Sequence, residues 1–322
     1  MKYAWIEANR SRFPTVMMCE LLSVSRSGLD AARKRLPSKR AIDDAMLLNQ
    51  IRQAQRHHRG RYGRRRMTAE ISAARGRPVN HKRIARVMRE HGLQSHRRRA
   101  FRVVTTDSKH DHPVAPNVLE RDFKATAPNQ KWLADITYVP TDEGWLYLAL
   151  VLDLFARELV GWAMSETMPQ ELTLCALDVA LGLRDPQGAL IHHSDRGSQY
   201  AAKDYRAKLK ARGIQVSMSR NGDCWDNAPM ESVNGTLKVE CVNDAHFQTR
   251  EQARLAIVEF IGYYNTERRH SSLGNMAPAE FERRWRDKRI VGEARPSRSK
   301  PRVTLRRPLT GSSQATEPAA HG

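Results

Sequence analysis

Three acidic residues, far apart in the chain, have the types and settings that metal-dependent phosphoryl chemistry needs: Asp135 in WLADITY, Asp195 in HHSDRGSQY and Glu231 in DNAPMES. Asp135 lies mid-way along an alternating, β-branched stretch, with Trp132 and Ala134 assigned to opposite faces and an acid where an apolar residue is expected. Asp195 stands just past a short apolar run, at the kind of strand end where open α/β sheets keep their sites. Glu231 follows a loop containing Asn221, Gly222 and Asp223. Next come Asp226, Asn227 and Pro229, which read as an N-cap with an early-turn proline, so Glu231 belongs in the first or second turn of a helix. Singly, each acid has a plainer account: a solvent-facing strand residue, a turn, a charge complementing a helix dipole. Gathered together, they would repel one another unless divalent cations neutralised them, and hard oxygen donors suit magnesium, with manganese as a substitute. Two such ions, about 3.5–4 Å apart, can activate an attacking oxygen and stabilise the leaving one at phosphorus. Asp153, in LVLDLFAR, competes for the first position, but pairing with Arg157 or with backbone donors is the simpler account.

The elements that must position these acids can be read from the same stretch. Residues 131–141, 146–155 and 158–165 alternate or run apolar with short connections between them, as in an antiparallel meander. An apolar-striped helix follows over 169–183, then a strand at 189–194, a single helix over 198–213 and a short strand at 214–219. The order βββ-α-β-α-β-α is that of a ribonuclease H-like α/β core with a five-stranded mixed sheet, its fourth and fifth strands parallel to the first. In that sheet the first and fourth strands are neighbours and the Glu231 helix crosses their ends. Another amphipathic helix is expected over 250–265, with Ala253, Ile257, Phe260, Ile261 and Tyr264 inward, and the stretch 266–281 then returns over the surface.

The 322-residue chain carries 55 Lys and Arg against 35 Asp and Glu, a formal charge of +20, which points to a polyanionic partner and first to nucleic acid. No apolar run is long enough to span a membrane and 1–10 lacks a signal-peptide core, so the chain is read as cytoplasmic and nucleoid-associated. The four cysteines are scattered and are read as reduced and structural. Residues 1–40 have the plan of a helix-turn-helix, two short apolar-periodic segments joined at 23–26 with a serine cap, making Ser25, Arg26, Ser27 and Arg33 the residues to test for DNA contact. Residues 41–104 form a second basic helical unit. There Arg61, Arg64, Arg65 and Arg66 precede a helix carrying Met67 and Ile71, and Lys82 and Arg83 open another that starts at Asn80 and stops at Gly92. Salt-sensitive contact with phosphates is expected from this unit. A polar linker is expected over 105–120, the catalytic core over 121–285, and a basic tail without a packed core over 286–322.

These residues resemble the signature of DDE transposases and retroviral integrases, most closely the second-frame (OrfB) subunit of bacterial insertion sequences that encode their transposase in two overlapping frames. The matching motifs are WLADITY, VLDLFARELVGW, HSDRGSQY, SMSRNGDCWDNAPMES and YYNTERRHSSLGNMAPAEF, and 35 residues separate Asp195 from Glu231. The resemblance implies that Asp135, Asp195 and Glu231 bind two magnesium ions. Water would first expose a 3′-hydroxyl at the element end, and that hydroxyl would then attack a second phosphodiester. Lys238, about two helical turns beyond Glu231 on the same face, resembles the lysine that touches the DNA end. The loop at 221–226 is expected to order when DNA arrives. DNA, a first-frame (OrfA) partner or fusion, and a homo-oligomer on DNA are the implied partners. Asp30 and Ala31 depart from the aromatic residues that relatives tend to carry there, and Val233 from an aromatic. A ribonuclease H-type nuclease, or an inactive DNA-binding remnant, would share part of this pattern.

Overall fold

A strand buried on both faces needs apolar residues at successive positions, and the stretch from Leu148 to Leu152 supplies them inside the sheet. The computed structural model describes residues 1–95 and 113–293. The N-terminal part is helical: α1 (Lys2–Asn9), α2 (Thr15–Leu21), α3 (Arg26–Lys34), α4 (Lys39–His57), α5 (Arg64–Ala74) and α6 (His81–Glu90). The core follows as β1 (Lys131–Thr141), β2 (Gly144–Asp153), β3 (Glu158–Ser165), α7 (Gln170–Arg184), β4 (Ile191–Ser194), α8 (Ser198–Ala201), α9 (Lys203–Ala211), β5 (Gln215–Met218), α10 (Ala228–Leu237), α11 (Arg250–Thr266) and α12 (Pro278–Glu293). Met1–Glu282 is one compact unit, and Arg283–Gly322 falls in a second.

The sheet order is β3-β2-β1-β4-β5, with β1, β2 and β3 antiparallel and β4 and β5 continuing parallel to β1. This is the five-stranded mixed sheet of a ribonuclease H-like core. One face, with Leu133, Val139, Leu148 and Leu150, packs under α10 and α11; the other, with Trp132, Ala134, Ala149 and Val151, packs on α7 and α9. Trp132 and Ala134 therefore share a face instead of facing opposite ways, because side chains alternate with a period of two. Asp135 belongs to the Leu133 face, beneath α10. The five residues expected to point inward from α11 are all buried.

Several sequence expectations change. The single helix expected over 198–213 is broken at Ala202, whose extended backbone (φ −60°, ψ 147°) ends α8 and starts α9. Tyr200 and Tyr205, five residues apart, would point about 140° apart in a continuous helix. The break lets both bury in one cluster with their rings 5.4 Å apart. The part of the expected linker that is described, 113–120, packs on the core: Ala115 and Leu119 are buried, and the Ser217 hydroxyl accepts from the Val118 and Leu119 amides. The rest of that linker lies outside the described residues. Helix α12 runs on to Glu293, past the boundary at 286, with an Arg283–Asp287 pair one turn apart at 3.3 Å; residues 294–322 of the expected tail lie outside the described residues. The stretch expected to return over the surface instead buries Arg268 and His270, because Glu240 takes two hydrogen bonds of 2.8 Å from the Arg268 guanidinium.

In the N-terminal part the Ser25 hydroxyl caps α3 by accepting from the Gly28 amide at 3.0 Å, as the helix-turn-helix reading requires. Helix α1 was not foreseen; its Ile6 completes a small core with Met18, Cys19 and Leu29. Asp30 takes a hydrogen bond from Arg33 at 3.1 Å. Helices α4 to α6 enclose a second core of Leu47, Ile51, Tyr62, Met67, Ile71 and Ile84. Asn80 caps α6 through the Lys82 amide (2.8 Å), and Gly92 ends it at φ +65°. Cys19, Cys175 and Cys241 are free thiols.

Candidate active site

Strand β1 pairs with β4 in parallel, Leu133 opposite His193, and the same register continued by two residues brings Asp135 level with Asp195. Helix α10 supplies the third acid. Its first turn holds Glu231, exposed, and Pro229 sits near the start as expected. Residues 227, 231, 234 and 238 share one stripe of this helix by their spacing of three and four. That stripe lies against β1: Asn227 Nδ2 donates to the Ala134 carbonyl at 3.2 Å, Asn234 Nδ2 to Asp135 Oδ2 at 2.7 Å, and Lys238 Nζ to the Tyr138 carbonyl, with the ammonium 4.4 Å from the Tyr138 ring centroid.

Burial holds the Asp135 carboxyl well above the usual carboxylate range, and the charges of Asp195 and Glu231 add to the shift. The three acids are thus near enough to disfavour one another's charge. Asp195 Oδ1 accepts from the Gly197 amide at 2.9 Å, and a Cβ on Gly197 would stand 3.1 Å from that oxygen, so the turn after β4 is closed tightly around the acid. As the side chains stand, no group of three or more His, Cys, Asp and Glu residues among those described is arranged to hold a metal ion. The donor set nevertheless fits one by its chemistry. Three buried polar atoms beside it, Asn227 Oδ1, Asn234 Oδ1 and the Tyr200 hydroxyl, have no hydrogen-bond partner among the described residues. Uncompensated groups of this kind are costly unless water or an ion completes them. The Tyr200 phenol is pushed far above its ordinary value by burial, then by Tyr205, Asp135 and Asp195.

Asp153 is not part of this group. It is fully buried and accepts from the amides of Asn129 (2.7 Å) and Phe155 (2.8 Å), and its cationic neighbour is Arg184, at 3.5 Å, instead of the expected Arg157. Asp226, taken from sequence for part of a cap, is a buried anchor: its oxygens accept from the Arg220 amide (2.8 Å), the Arg220 guanidinium (2.7 and 3.0 Å), Arg121 (2.7 Å) and Asn117 (2.9 Å). The loop expected to order with DNA is therefore already tied down at its end. Sequence gave one signal for this, an acid within reach of Arg220 six residues earlier; Arg121 and Asn117 come from too far away to be read. His193 was also missed. Its ring bridges the hydroxyls of Ser217 (2.8 Å) and Ser219 (3.1 Å) and fixes the ends of β4 and β5, and burial lowers its pKa to about 4.

The basic residues separate into two groups. Arg64, Arg65, Lys82 and Arg26 are exposed. Arg61 is buried: its Nε donates to the Glu240 carbonyl at 3.0 Å and its guanidinium lies 4.5 Å from the Tyr263 ring centroid. Arg66 pairs with Glu240 at 3.0 Å, Arg83 with Asp43 (2.6 Å) and Asp44, and Arg33 with Glu7 and Asp30. Arg61 and Arg83 thus hold the fold together, because partners remote in sequence reach them first, the Glu240 carbonyl and Tyr263 ring for Arg61 and Asp43 and Asp44 for Arg83.

Family models described as integrase core domain match residues 125–224 and 212–278, and one described as HTH-like domain matches 41–101. The chain is 48% identical over 269 residues to an insertion element IS600 uncharacterized 31 kDa protein of Shigella sonnei, covering 83% of this chain and 98% of that protein. It is 42% identical over 290 residues to the transposase InsF for insertion sequence IS3A of Escherichia coli strain K12, covering 88% and 98%. Among solved structures it is similar to the HTLV-2 integrase catalytic core domain in complex with magnesium (TM-score 0.38, 16% identity, 49% of this chain and 99% of that one). It is also similar to a simian T-cell lymphotropic virus intasome in complex with the PP2A regulatory subunit B56 gamma (TM-score 0.43, 12% identity, 82% and 80%).

Proposed function

Because the chain belongs to the insertion-sequence transposases with an integrase core, enzymes that cut and join DNA, we propose that Asp135, Asp195 and Glu231 are its catalytic carboxylates. The observation that carries this reading is the β1–β4 register, which levels Asp135 with Asp195 under the helix that bears Glu231. The three carboxylates would hold two magnesium ions, which supply Lewis-acid stabilisation of the attacking and leaving oxygens. Asn234 keeps one Asp135 oxygen turned toward α10, and the Gly197 amide fixes one Asp195 oxygen in the turn before α8. Exposed Glu231 is free to swing onto the pair when cations neutralise it. Water adds to the phosphorus at the element end and the bond to the 3′-oxygen breaks. The 3′-hydroxyl so exposed then attacks a target phosphodiester, whose own 3′-oxygen leaves. Lys238 would meet the DNA end, and Arg26, Arg64, Arg65 and Lys82 would bind phosphates.

The domain limits follow from the same reading: helix-turn-helix-like units over 1–40 and 41–104, and the catalytic core over 121–285. A first-frame partner and a homo-oligomer on DNA belong to this proposal, as does action at the nucleoid; among the described residues no helix is long and apolar enough to cross a membrane. The test is Glu231→Gln in the full chain. Affinity for a duplex carrying the element end should persist, while cleavage and the rise of melting temperature on adding magnesium should both be lost. Cleavage at the normal rate by this variant would remove Glu231 from the site.

A further inference from the structure

The helical unit α4–α6 does not hang free of the core. The Tyr62 hydroxyl accepts from the Arg269 amide (2.9 Å) and donates to the Glu267 carbonyl (3.2 Å). Arg269 Nε donates to Glu70 at 2.6 Å, and the His58 ring reaches the Tyr263 hydroxyl at 3.1 Å. The stretch 263–275 is thus the joint between the two parts. Beside it lies a cleft of about 930 Å³ with walls from both: Arg64, Arg65 and His81 from the helical unit, and Val239, Ser271 and Asn275 from the core.

The chemistry of this cleft is one-sided. Arg64 and Arg65 are exposed, and no ion-pair partner of either is found among the described residues. The acid in its wall, Glu240, is already matched by Arg66 (3.0 Å) and Arg268 (2.8 Å) and is almost fully buried. Beyond Glu240 and its arginine partners, the lining offers the guanidiniums of Arg64 and Arg65, the His81 imidazole, the hydroxyls of Thr68, Ser95 and Ser271 and the Asn275 carboxamide, a set that suits a row of phosphodiesters. Position adds a second argument. Val239 follows Lys238 directly, so the cleft begins where the active-site stripe of α10 ends. From Glu231 to Val239 is about 12 Å along a helix axis, which is about three to four base pairs of duplex.

We propose that this cleft is a composite site for the DNA backbone, in which Arg64 and Arg65 of the helical unit and Ser271 and Asn275 of the core grip the same phosphates, three to five base pairs from the phosphodiester that is cut. Gripping one stretch of backbone from both walls makes the joint a ruler between the bound sequence and the cut. The distance rests on the reading of Glu231 as a catalytic ligand; the composite grip does not.

The experiment uses the full chain and duplexes carrying the element end, with single phosphates replaced by neutral methylphosphonates and affinity read by fluorescence anisotropy across a salt series. Replacement at three to five base pairs from the cut should weaken binding to the wild type, and Arg64→Gln with Arg65→Gln should abolish that sensitivity and lower the salt slope by about two. Ser271→Ala with Asn275→Ala should weaken binding about three- to tenfold and lose sensitivity at the same phosphates. These four residues lie at the surface or edge of the cleft, so melting temperatures should stay within a few degrees of wild type; an arginine variant that fails this check is replaced by Arg64→Lys with Arg65→Lys, which should keep the salt slope, and a core variant that fails it by Ser271→Ala with Asn275→Gly, which suits the φ of +61° at Asn275. Phosphate sensitivity lost with the arginine pair but unchanged with the Ser271 and Asn275 pair would overturn the composite site. If sensitivity is lost with both pairs but at other distances, the grip stands and the ruler falls. Cleavage by Glu231→Gln with the footprint intact would sink the catalytic assignment alone.

Discussion

Replacing Asp226 by asparagine tests whether a buried carboxylate outside the proposed catalytic group sets the position of the Glu231 helix. One oxygen of Asp226 accepts three hydrogen bonds, from the Arg220 amide, Arg220 Nε and Asn117, and the other accepts two, from Arg220 Nη2 and Arg121 Nε. Asparagine in its better orientation keeps the first three and turns an NH₂ toward the two guanidinium donors. Two charge-assisted bonds are lost, each worth about 1.5–3 kcal/mol. Arg121 and Arg220 are 42% and 55% exposed, so both can return to water, which brings the net cost to about 2–4 kcal/mol. At about 2–4 °C per kcal/mol for a chain of this size, the melting temperature should fall by about 4–16 °C. The Arg220 hydrogen bond holds the Asp226 carboxyl far below the usual carboxylate range, outweighing burial. A folded-state pKa below the unfolded one contributes stability that is complete above the unfolded value and is lost as pH falls through the folded one. The gap between wild type and variant should therefore be full at pH 7 and narrow below pH 3.8. Calorimetry at pH 7 and pH 3 measures it, alongside cleavage and DNA affinity at pH 7. Unchanged melting at pH 7, or a gap that widens in acid, would refute the reasoning; reduced cleavage with normal DNA binding is the functional counterpart.

Burial lowers the Lys238 pKa from 10.5 to about 8. The folded chain then binds fewer protons than the unfolded one between these values, so wild type should gain stability relative to Lys238→Met as pH rises from 8 to 10, read by urea midpoints; a constant difference would contradict this. Strand transfer that depends on the lysine charge should decline above about pH 8 in wild type and hold in Lys238→Arg, and parallel profiles would remove Lys238 from the DNA end. At Gly161 an added Cβ would stand 2.3 Å from the Ala176 carbonyl oxygen and 2.8 Å from the Ala180 Cβ, so Gly161→Ala must lift α7 off β3. Its cost should exceed about 2 kcal/mol, and a denaturant midpoint within error of wild type would show that the helix yields freely.

The strands were legible because their alternation is set by burial on two faces, and β1 and β3 begin and end where the pattern does. Asp135 stood out as well, since it interrupts the Leu133 to Val139 face with an acid. What could not be read were choices made by partners. Nothing local in AAKDY announces the break at Ala202, which is imposed by two tyrosines seeking one cluster. Arg61 and Arg64 look alike in RGRYGRRR, yet one is enclosed by Tyr263 and the Glu240 carbonyl while the other faces solvent, and Glu240 lies 179 residues from Arg61 in sequence. Arg83 opens a helix as an exposed cation would, but Asp43 and Asp44 sit across from it on α4.

A single irregularity links the Glu231 helix to the joint. Past Leu237 the chain continues for one wide turn, Lys238–Val242, closed by the Asn243 amide on the Lys238 carbonyl at 2.7 Å, five residues back. Such a turn carries one residue more than an α-turn, so it offsets everything after it from the stripe that faces the carboxylates. The offset has a use here. Its Glu240 takes Arg66 and Arg268 on its carboxylate and Arg61 on its carbonyl, and Arg61 and Arg66 belong to the helical unit. The element that carries Glu231 is thus continuous with the element that fastens the helical unit. A regular α-helix could not serve both partners from one face, because residues 231 and 240 would lie about 180° apart. The wide turn changes that angle, and through Glu240 it joins the helix of Glu231 to Arg66 of α5.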